Sequence, residues 1–277
     1  MRSRFTVKLG ILAVAALAAL GVQAGPPFNN LEGVGGVAFN PLAYTAGQPV
    51  DTNGAAWYSK PQVGTWYVHL GDRDINWESF GVAETFGGRL EVSYAYEAAR
   101  LGGASPVNVS KNDIGAKLLV IHENEGNLPY VPAVSVGSIW KETDLNAVGP
   151  NRAGFDYYAV ATKLITQAPI PLLLSGGLLS SDEEVTGVLG HSGNRDLTWF
   201  GNVDIIPVSF LATGFEYKQG SKFDNGFKNA NYWDAHVAWF ASPNLTLIGA
   251  YAYTGNKDST SAFGLGGGLV LSAQYAF

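Results

Sequence analysis

Charged residues that recur at every second position are the first feature of this chain that could support chemistry. In the segment 89–99, Arg89, Glu91 and Glu97 share one face of an extended chain, and apolar or aromatic residues occupy the other. A charged face of this kind needs ion pairs or water, because an unpaired charge is costly to bury. The residues that the pattern predicts for a charged interior face are Glu78, Glu84, Arg89, Glu91, Glu97, Lys117, Lys141, Lys163, Asp204, Glu216, Asp234 and His236.

A second candidate for chemistry is the stretch Gly190-His-Ser-Gly-Asn194. It is similar to the active-site region of outer-membrane phospholipase A, in which His and Ser lie two residues apart on one face of a strand. Here His191 and Ser192 are adjacent, so they would point to opposite faces. A lipid hydrolase is therefore the least favoured function. The sequence has no cysteine, no HExxH motif and no close group of His and carboxylates, so we expect no metal and no cofactor.

Segments of about ten residues with alternating polarity must position these side chains. The clearest are 89–99, 210–218 and 232–241. A soluble β-sandwich would show the same alternation. The apolar faces end in Tyr and Trp, however, which favours a membrane barrel with aromatic girdles at the two interfaces. The residues predicted for the girdles and the insertion signal are Tyr94, Tyr96, Trp233, Trp239, Tyr275 and Phe277.

The last eleven residues, 267–277, alternate an apolar face that ends in Tyr275 and Phe277 with a face of small and polar residues. This segment resembles the closing strand of bacterial outer-membrane β-barrels, in which a terminal Phe and an aromatic residue two positions earlier form the insertion signal. The resemblance implies location in the bacterial outer membrane and contact with its lipids and lipopolysaccharide. It also implies that the barrel assembly machinery recognises the C-terminal strand.

Residues 1–24 predict a cleaved signal peptide. Arg2, Arg4 and Lys8 form a basic region, an apolar run follows, and Val22-Gln-Ala24 supplies a small-x-small cleavage site. The apolar run is shorter than the ~20 residues that a membrane-spanning helix needs. Removal of three of the 17 basic residues leaves 14 against 23 acidic residues, a net charge of −9. That balance argues against a nucleic-acid partner.

Alternation and turn-forming residues predict twelve strands. They are placed near 63–72, 74–86, 88–99, 112–122, 131–142, 154–165, 170–180, 197–206, 208–218, 231–241, 244–253 and 263–277. Counted back from Phe277, most connections that should face the periplasm are tight, and most of the opposite ones are longer. Two connections fit less well: the link at Asn124–Pro129 is long for a periplasmic turn, and that at Gly71–Asp74 is short for an external loop. We therefore predict an all-β fold, an antiparallel up-and-down transmembrane barrel over residues 63–277. Fourteen strands would result if residues 28–46 formed a hairpin.

The N-terminal segment, residues 25–62, does not have the pattern of an ordinary lipid-facing strand, because Gly33, Gly35 and Gly36 weaken a strand and Pro41 cannot donate to its neighbour. Three interpretations stay open: a segment in the lumen or across the periplasmic mouth, an added strand with a glycine bulge, and a linker. The stretch 28–44, together with Gly64-Thr-Trp-Tyr-Val-His-Leu-Gly71, resembles a proteobacterial family of uncharacterised outer-membrane barrel proteins. The resemblance implies the barrel and carries no activity.

The function that these observations favour is a porin-like passive channel for small polar or ionic solutes, and not an enzyme. The alternative is a non-conducting structural barrel, or one that binds a partner protein, closed by its N-terminal segment and by ion pairs in the lumen. Barrels of eight strands are filled by side chains and barrels of sixteen or more are open. Twelve strands lie between these limits, so both functions remain.

Overall fold

The computed structural model describes residues 28–49, 57–102, 106–145, 149–222 and 228–277. The predicted signal peptide, residues 1–24, lies outside the described residues. No helix within these ranges is long and apolar enough to cross a bilayer.

Twelve antiparallel strands form a closed barrel in which neighbours in the chain are neighbours in the sheet, and the last strand pairs with the first. The barrel strands are β5 Gln62–Leu70, β6 Ile75–Phe86, β7 Leu90–Leu101, β8 Val107–Ile121, β9 Ala133–Asp144, β10 Arg152–Ile165, β11 Leu172–Glu183, β12 His191–Val208, β13 Leu211–Lys218, β14 Tyr232–Phe240, β15 Leu245–Tyr253 and β16 Gly267–Ala276. Each of the twelve predicted strands corresponds to one of these. The all-β twelve-stranded prediction is confirmed.

The fourteen-stranded alternative is wrong for the described residues, because the N-terminal segment adds no strand to the barrel. Where the structure describes this segment before β5, its strands are two-residue pairs, β1 Phe28–Asn29 with β2 Gly35–Gly36, and β3 Gln48–Pro49 with β4 Ser59–Lys60. Residues 28–47 lie inside the barrel, and we call them the plug. Nearly all of the plug residues are buried.

The tight turns follow from local sequence. Gly87 and Gly88 both have positive φ, +57° and +64°, which the type I′ hairpin turn between β6 and β7 requires. Between β14 and β15, the Ser242 hydroxyl accepts hydrogen bonds from the backbone N–H groups of Asn244 and Leu245. These turns lie at the same end of the barrel as Gln62 and Phe277. Short turns mark the periplasmic end of outer-membrane barrels.

The outer wall is apolar and aromatic. All six residues predicted for the girdles and the insertion signal lie on this wall, and Trp239 and Phe277 are about half exposed. Trp233 packs between Phe215 and Tyr253, with ring centroids 5.9 and 5.6 Å apart. Inside the barrel, two apolar clusters join residues of the plug to residues of the wall, for example Leu31 to Trp66 and Val34 to Ile139. The side chains therefore sort as the period-2 alternation requires.

The loop 184–190 between β11 and β12 folds into the opposite mouth of the barrel. Val185, Thr186 and Gly187 are buried, and the first two have the positive φ values of +51° and +56° that β-branched residues rarely adopt. The Thr186 carbonyl accepts a hydrogen bond of 2.7 Å from Lys111 Nζ on the inner wall. The plug and this loop thus fill the lumen from its two ends.

Candidate functional site

Most of the residues predicted for the charged interior face point into the barrel. The structure places eight of them there, all buried: Glu91, Glu97, Lys117, Lys141, Asp204, Glu216, Asp234 and His236. They lie on β7, β8, β9, β12, β13 and β14. The inner wall of the described barrel is therefore charged even though it is filled.

The prediction is wrong for Glu78 and Glu84, which lie on the outer face of β6. Aromatic residues were expected to point outward, but Trp77 points inward and its Nε1–H donates a 2.7 Å hydrogen bond to Glu97. A shift of one residue in a strand moves every side chain to the other face. An interior acceptor for the indole N–H therefore reversed the assignment of this strand.

The prediction is also wrong for Arg89 and Lys163, which lie at the periplasmic rim. Arg89 belongs to the turn before β7, and its guanidinium donates to the carbonyls of Leu119 and Val120. Lys163 is on the outer face of β10, and its ammonium contacts the Glu123 carboxylate at 3.2 Å. Long cationic side chains at strand ends can reach the turns, so alternation alone does not place them.

Five interior charges are absent from the prediction, two of them because strands β8 and β11 are longer than predicted. Of the other three, Asp113 and Asp156 lie within predicted strands and Glu32 lies in the plug. β8 begins at Val107 and not near 112, and β11 continues to Glu183 and not to 180. Lys111 and Glu183 were therefore assigned to loops. Their spacing from Lys117 and Leu179, an even number of residues, was the signal that could have found them. The missed charged residues are Glu32, Lys111, Asp113, Asp156 and Glu183.

A network of lysines and carboxylates joins the plug to β7–β11 and β13, and we call it the lysine network. Lys141 Nζ contacts the carboxylates of Glu32 and Glu183, and it lies 2.6 Å from Asp156 Oδ2. The second centre is Lys111, whose Nζ is 3.0 Å from Glu97 Oε1 and 3.5 Å from Asp113 Oδ1. Lys218 Nζ completes the network, 3.0 Å from Glu183 Oε1.

Glu32 is the plug's contribution to the lysine network. Burial raises the pKa of its carboxyl group, but the ammonium groups of Lys141, Lys218 and Lys111 together lower that pKa by more, so it lies below the ordinary value. The carboxylates of Glu32, Asp156 and Glu183 are close enough together to hold a metal ion. Because the Lys141 ammonium contacts all three, it already supplies the positive charge at their centre.

A second contact between plug and wall centres on Glu91 and Lys117. The two side chains form an ion pair of 2.9 Å. Glu91 also accepts from the backbone N–H groups of Gly35 and Ala46, at 2.8 and 2.6 Å. Lys117 Nζ donates to the carbonyls of Gly35 and Tyr44 at 2.9 and 2.7 Å. The wall thus binds the plug through its peptide groups as well as through Glu32.

On the other side of the lumen, Glu216 of β13 accepts three backbone N–H groups of the plug. Ala38 and Phe39 donate to Oε1, each at 2.9 Å, and Asn40 donates to Oε2 at 3.1 Å. Three consecutive N–H groups that converge on a carboxylate form an anion-binding concavity. Glu216 is therefore a main attachment point of the plug.

Beside Glu216 lies a histidine held between two carboxylates. His236 Nδ1 is 2.7 Å from Asp234 Oδ1, and His236 Nε2 is 2.7 Å from Asp204 Oδ1. Glu216 and Asp234 are direct partners in the register of β13 and β14. We call Asp204, Glu216 and Asp234 the acidic patch. It covers the β12–β14 side of the lumen.

The His191 and Ser192 stretch does not assemble a hydrolytic pair. His191 Nδ1 lies 2.6 Å from Asp182 Oδ1, whereas Ser192 Oγ donates to the Asp182 carbonyl at 3.2 Å. Within the described ranges no hydrogen bond joins His191 to Ser192. The contacts of both residues hold the start of β12 against the end of β11. A nucleophile needs a base within hydrogen-bonding reach, and this pair lacks that arrangement.

One solved porin has a similar fold, and two further solved structures are similar over most of the chain at lower TM-scores. The KdgM porin is 11% identical with a TM-score of 0.54, over 78% of this chain and 99% of that chain. The NanC porin is 12% identical with a TM-score of 0.48, over 78% and 98%. The Acinetobacter baumannii outer membrane protein Omp33 is 10% identical with a TM-score of 0.48, over 80% and 99%. Comparison of the sequence with curated proteins gives no match.

A closed twelve-stranded barrel with an apolar, aromatic outer wall is a structure of the bacterial outer membrane. Its outer wall contacts membrane lipid and lipopolysaccharide, and barrels of this kind are inserted by the barrel assembly machinery. The predicted resemblance to an uncharacterised family of such barrels is confirmed by a family model that covers most of the sequence. By the match of that model to residues 26–263, the chain belongs to the family described as "Protein of unknown function (DUF3034)".

Proposed function

We propose that this protein is a porin-like passive channel for small polar or ionic solutes, and that the plug closes it in the conformation described above. The protein has no catalytic role in this proposal. The observation that carries it is the charge on the wall behind the plug. A wall that only packed against a permanent core would lose little with apolar side chains, since replacing buried ion pairs by apolar residues is often neutral or stabilising. A charged wall suits a lumen that also exists in a hydrated state.

The contacts of the plug are also of a kind that water can replace. Glu91, Lys117 and Glu216 hold its peptide groups through hydrogen bonds, and Glu32 is held by ion pairs. Each of these groups would be solvated if the plug left, so its departure need not leave a buried polar group without a partner. The proposed open state exchanges these polar contacts for water, and it also separates the apolar side chains of the plug from those of the wall.

The second candidate is a non-conducting barrel that serves a structural role or binds a partner protein. The observation that favours it is the loop 184–190, which fills the mouth opposite the plug and is tied to the wall through Lys111 and Thr143. In that case, the lysine network would stiffen the barrel. A test must therefore compare conduction with the plug free and with the plug held in place.

A reversible disulfide between the plug and β8 provides that comparison in the full chain. A Cβ at Gly115 would lie 2.6 Å from Val34 Cγ1. With a C–C bond of about 1.5 Å, the two Cβ atoms would be at most about 4.1 Å apart, which a disulfide can span. The new Cβ would meet Ser93 Oγ at 2.3 Å, so Ser93→Ala is included. The native chain has no cysteine to interfere.

We expect Val34→Cys/Ser93→Ala/Gly115→Cys to give discrete conductance steps in planar bilayers when reduced, and to lose them when oxidised. The matched controls are the two proteins with Ser93→Ala and only one of the cysteines, in which oxidant should change nothing. Absence of steps in the reduced protein and in the native chain would refute the channel. Conductance that persists in the oxidised protein would refute closure by the plug.

A further inference from the structure

We infer that the open lumen selects cations, including protonated amines, and that the acidic patch of Asp204, Glu216 and Asp234 sets this preference. The inference rests on the proposed channel function and names the class of solute that the channel would favour. Three observations support it: the overall charge of the inner wall, the partners of the patch, and the way in which the plug occupies it.

The first observation is the excess of carboxylates on the inner wall. Among the described barrel strands, eight buried acidic residues face four buried lysines and His236, so acidic side chains outnumber basic ones by three even when His236 is counted as basic. The acidic residues are Glu91, Glu97, Asp113, Asp156, Glu183, Asp204, Glu216 and Asp234, and the lysines are Lys111, Lys117, Lys141 and Lys218. A cleft lined by one sign of charge enriches ions of the opposite sign.

The second observation is that the excess is concentrated in the acidic patch. All four lysines ion-pair with carboxylates outside the patch. Within the described part of the chain, no lysine or arginine forms an ion pair with Asp204, Glu216 or Asp234. The second carboxylate oxygen, Oδ2, of Asp204 and of Asp234 has no hydrogen-bond partner there either, although Asp234 is fully buried. These oxygens are acceptors without donors.

The third observation is that the plug places backbone N–H donors on the acidic patch. Glu216 receives three N–H donors from Ala38, Phe39 and Asn40. A primary ammonium group also offers three N–H donors, and it adds a full positive charge. When the plug leaves, Glu216 loses all three donors at once, and Asp234 lies beside it in the register. A small cation or an alkylammonium group could then replace the peptide N–H groups.

The experiment measures the reversal potential of the reduced Val34→Cys/Ser93→Ala/Gly115→Cys protein in a KCl gradient. The reversal potential does not depend on how often the channel opens, so changes in plug binding do not disturb it. We expect a K⁺ to Cl⁻ permeability ratio on the order of ten, the low end of the enrichment produced by a charged cleft. Added spermine, a polyamine, should block the current at concentrations at which a neutral polyol has no effect.

The variant that tests the patch adds Asp204→Asn, Glu216→Gln and Asp234→Asn to the same protein. The permeability ratio should fall to near one and the spermine block should weaken. The matched control is Glu78→Gln, which removes an acidic charge from the outer wall and should leave the ratio unchanged. If the triple variant does not fold, Asp204→Asn alone should still lower the ratio.

The outcomes separate this inference from the proposed function. If no protein conducts, the channel itself is refuted. If the reduced protein conducts with a ratio of one or below, or without block by spermine, the channel stands and cation selectivity is refuted. If the ratio is high but the patch variants leave it unchanged, the assignment of selectivity to the acidic patch is refuted.

Discussion

The two sides of the lumen hold the plug in different ways. On the β7–β9 side, each lysine is already paired with a carboxylate of the wall, as Lys117 is with Glu91 at 2.9 Å and Lys111 with Glu97 at 3.0 Å. On the β12–β14 side, the carboxylates share one histidine, and Glu216 depends on the N–H groups of the plug. The first side would keep most of its charge pairing without the plug. The second would lose the three donors that the plug supplies to Glu216 and would keep the contact from Asn202 Nδ2 at 3.4 Å.

The two sides should therefore contribute to different properties, one to the stability of the barrel and the other to closure of the lumen by the plug. Ion pairs between strands bind the wall to itself, so their loss should be felt by the whole barrel. Hydrogen bonds between Glu216 and the plug bind the plug to the wall, so their loss should be felt by the closed state alone. Four sets of substitutions test this difference between the two sides, and their expected effects decrease in the order given.

The largest effect is expected from Lys141→Met. Without the ammonium group, the carboxylates of Glu32, Asp156 and Glu183 would face one another in a buried space. Removal of one partner of a buried ion pair costs about 3–5 kcal/mol. The free energy of unfolding, measured by urea titration of the barrel in lipid vesicles, should fall by that amount.

The control for this prediction is Lys163→Met at the periplasmic rim. Its ion pair with Glu123 is partly exposed, and such pairs contribute about 1 kcal/mol or less. Equal losses for Lys141→Met and Lys163→Met would show that the lysine network does not hold the wall together.

Next in size is Glu216→Gln, which should open the plug while sparing the barrel. Both oxygens of Glu216 accept N–H groups of the plug, whereas a glutamine has one oxygen and one NH₂ group, so at least one plug N–H would lose its acceptor. A buried donor without an acceptor costs about 1–3 kcal/mol, which should raise the population of the released plug by about tenfold, since 1.4 kcal/mol is a factor of ten. The measurement is the labelling rate of a thiol placed at the buried position 38 by Ala38→Cys.

Glu91→Gln, on the opposite side of the lumen, tests the same difference between the two sides. It also weakens hydrogen bonds to the plug, but it leaves the buried Lys117 without its carboxylate. We expect faster labelling together with a lower free energy of unfolding. If Glu216→Gln destabilises the barrel as much as Glu91→Gln does, the distinction between the two sides is wrong.

A smaller effect is expected from Gly33→Ala, where the plug touches β7. Gly33 has a φ of +83°, and a Cβ there would lie 2.8 Å from the Tyr94 carbonyl oxygen. Backbone strain of this kind costs about 1–3 kcal/mol, and it should raise the labelling rate at position 38. Gly193→Ala is the control, because its φ is +84° but nothing lies within 4 Å of its Cβ. If Gly33→Ala raises the labelling rate more than Gly193→Ala does, the difference measures the contact of Gly33 with the wall.

The smallest effect is expected from Glu78→Gln and Glu84→Gln on the outer face of β6. Surface substitutions that break no buried contact usually change the unfolding free energy by less than about 0.5 kcal/mol. Neither variant should alter labelling at position 38. A change as large as that of Glu216→Gln would mean that these carboxylates do reach the lumen.

Strand number, strand direction and the outer wall could be predicted from sequence because they depend on local alternation. In β7 and β16 the pattern is strict, and the aromatic residues Tyr94, Tyr96 and Tyr275 lie on the outer face as predicted. In β6, local alternation does not predict which face is interior. Trp77 turns inward to reach Glu97, a partner 20 residues away, and no local pattern contains that information.

Residue pattern alone predicts an outer-membrane barrel of twelve strands with a charged inner wall. That information is local, since a period of two and a turn residue act over a few positions. The fold itself was needed to learn that residues 28–47 occupy the lumen, that Glu32 contacts Lys141, and that Glu216 accepts from Ala38, Phe39 and Asn40. These contacts join residues more than one hundred positions apart. They form because polar groups enclosed by the barrel must find partners wherever the fold brings them.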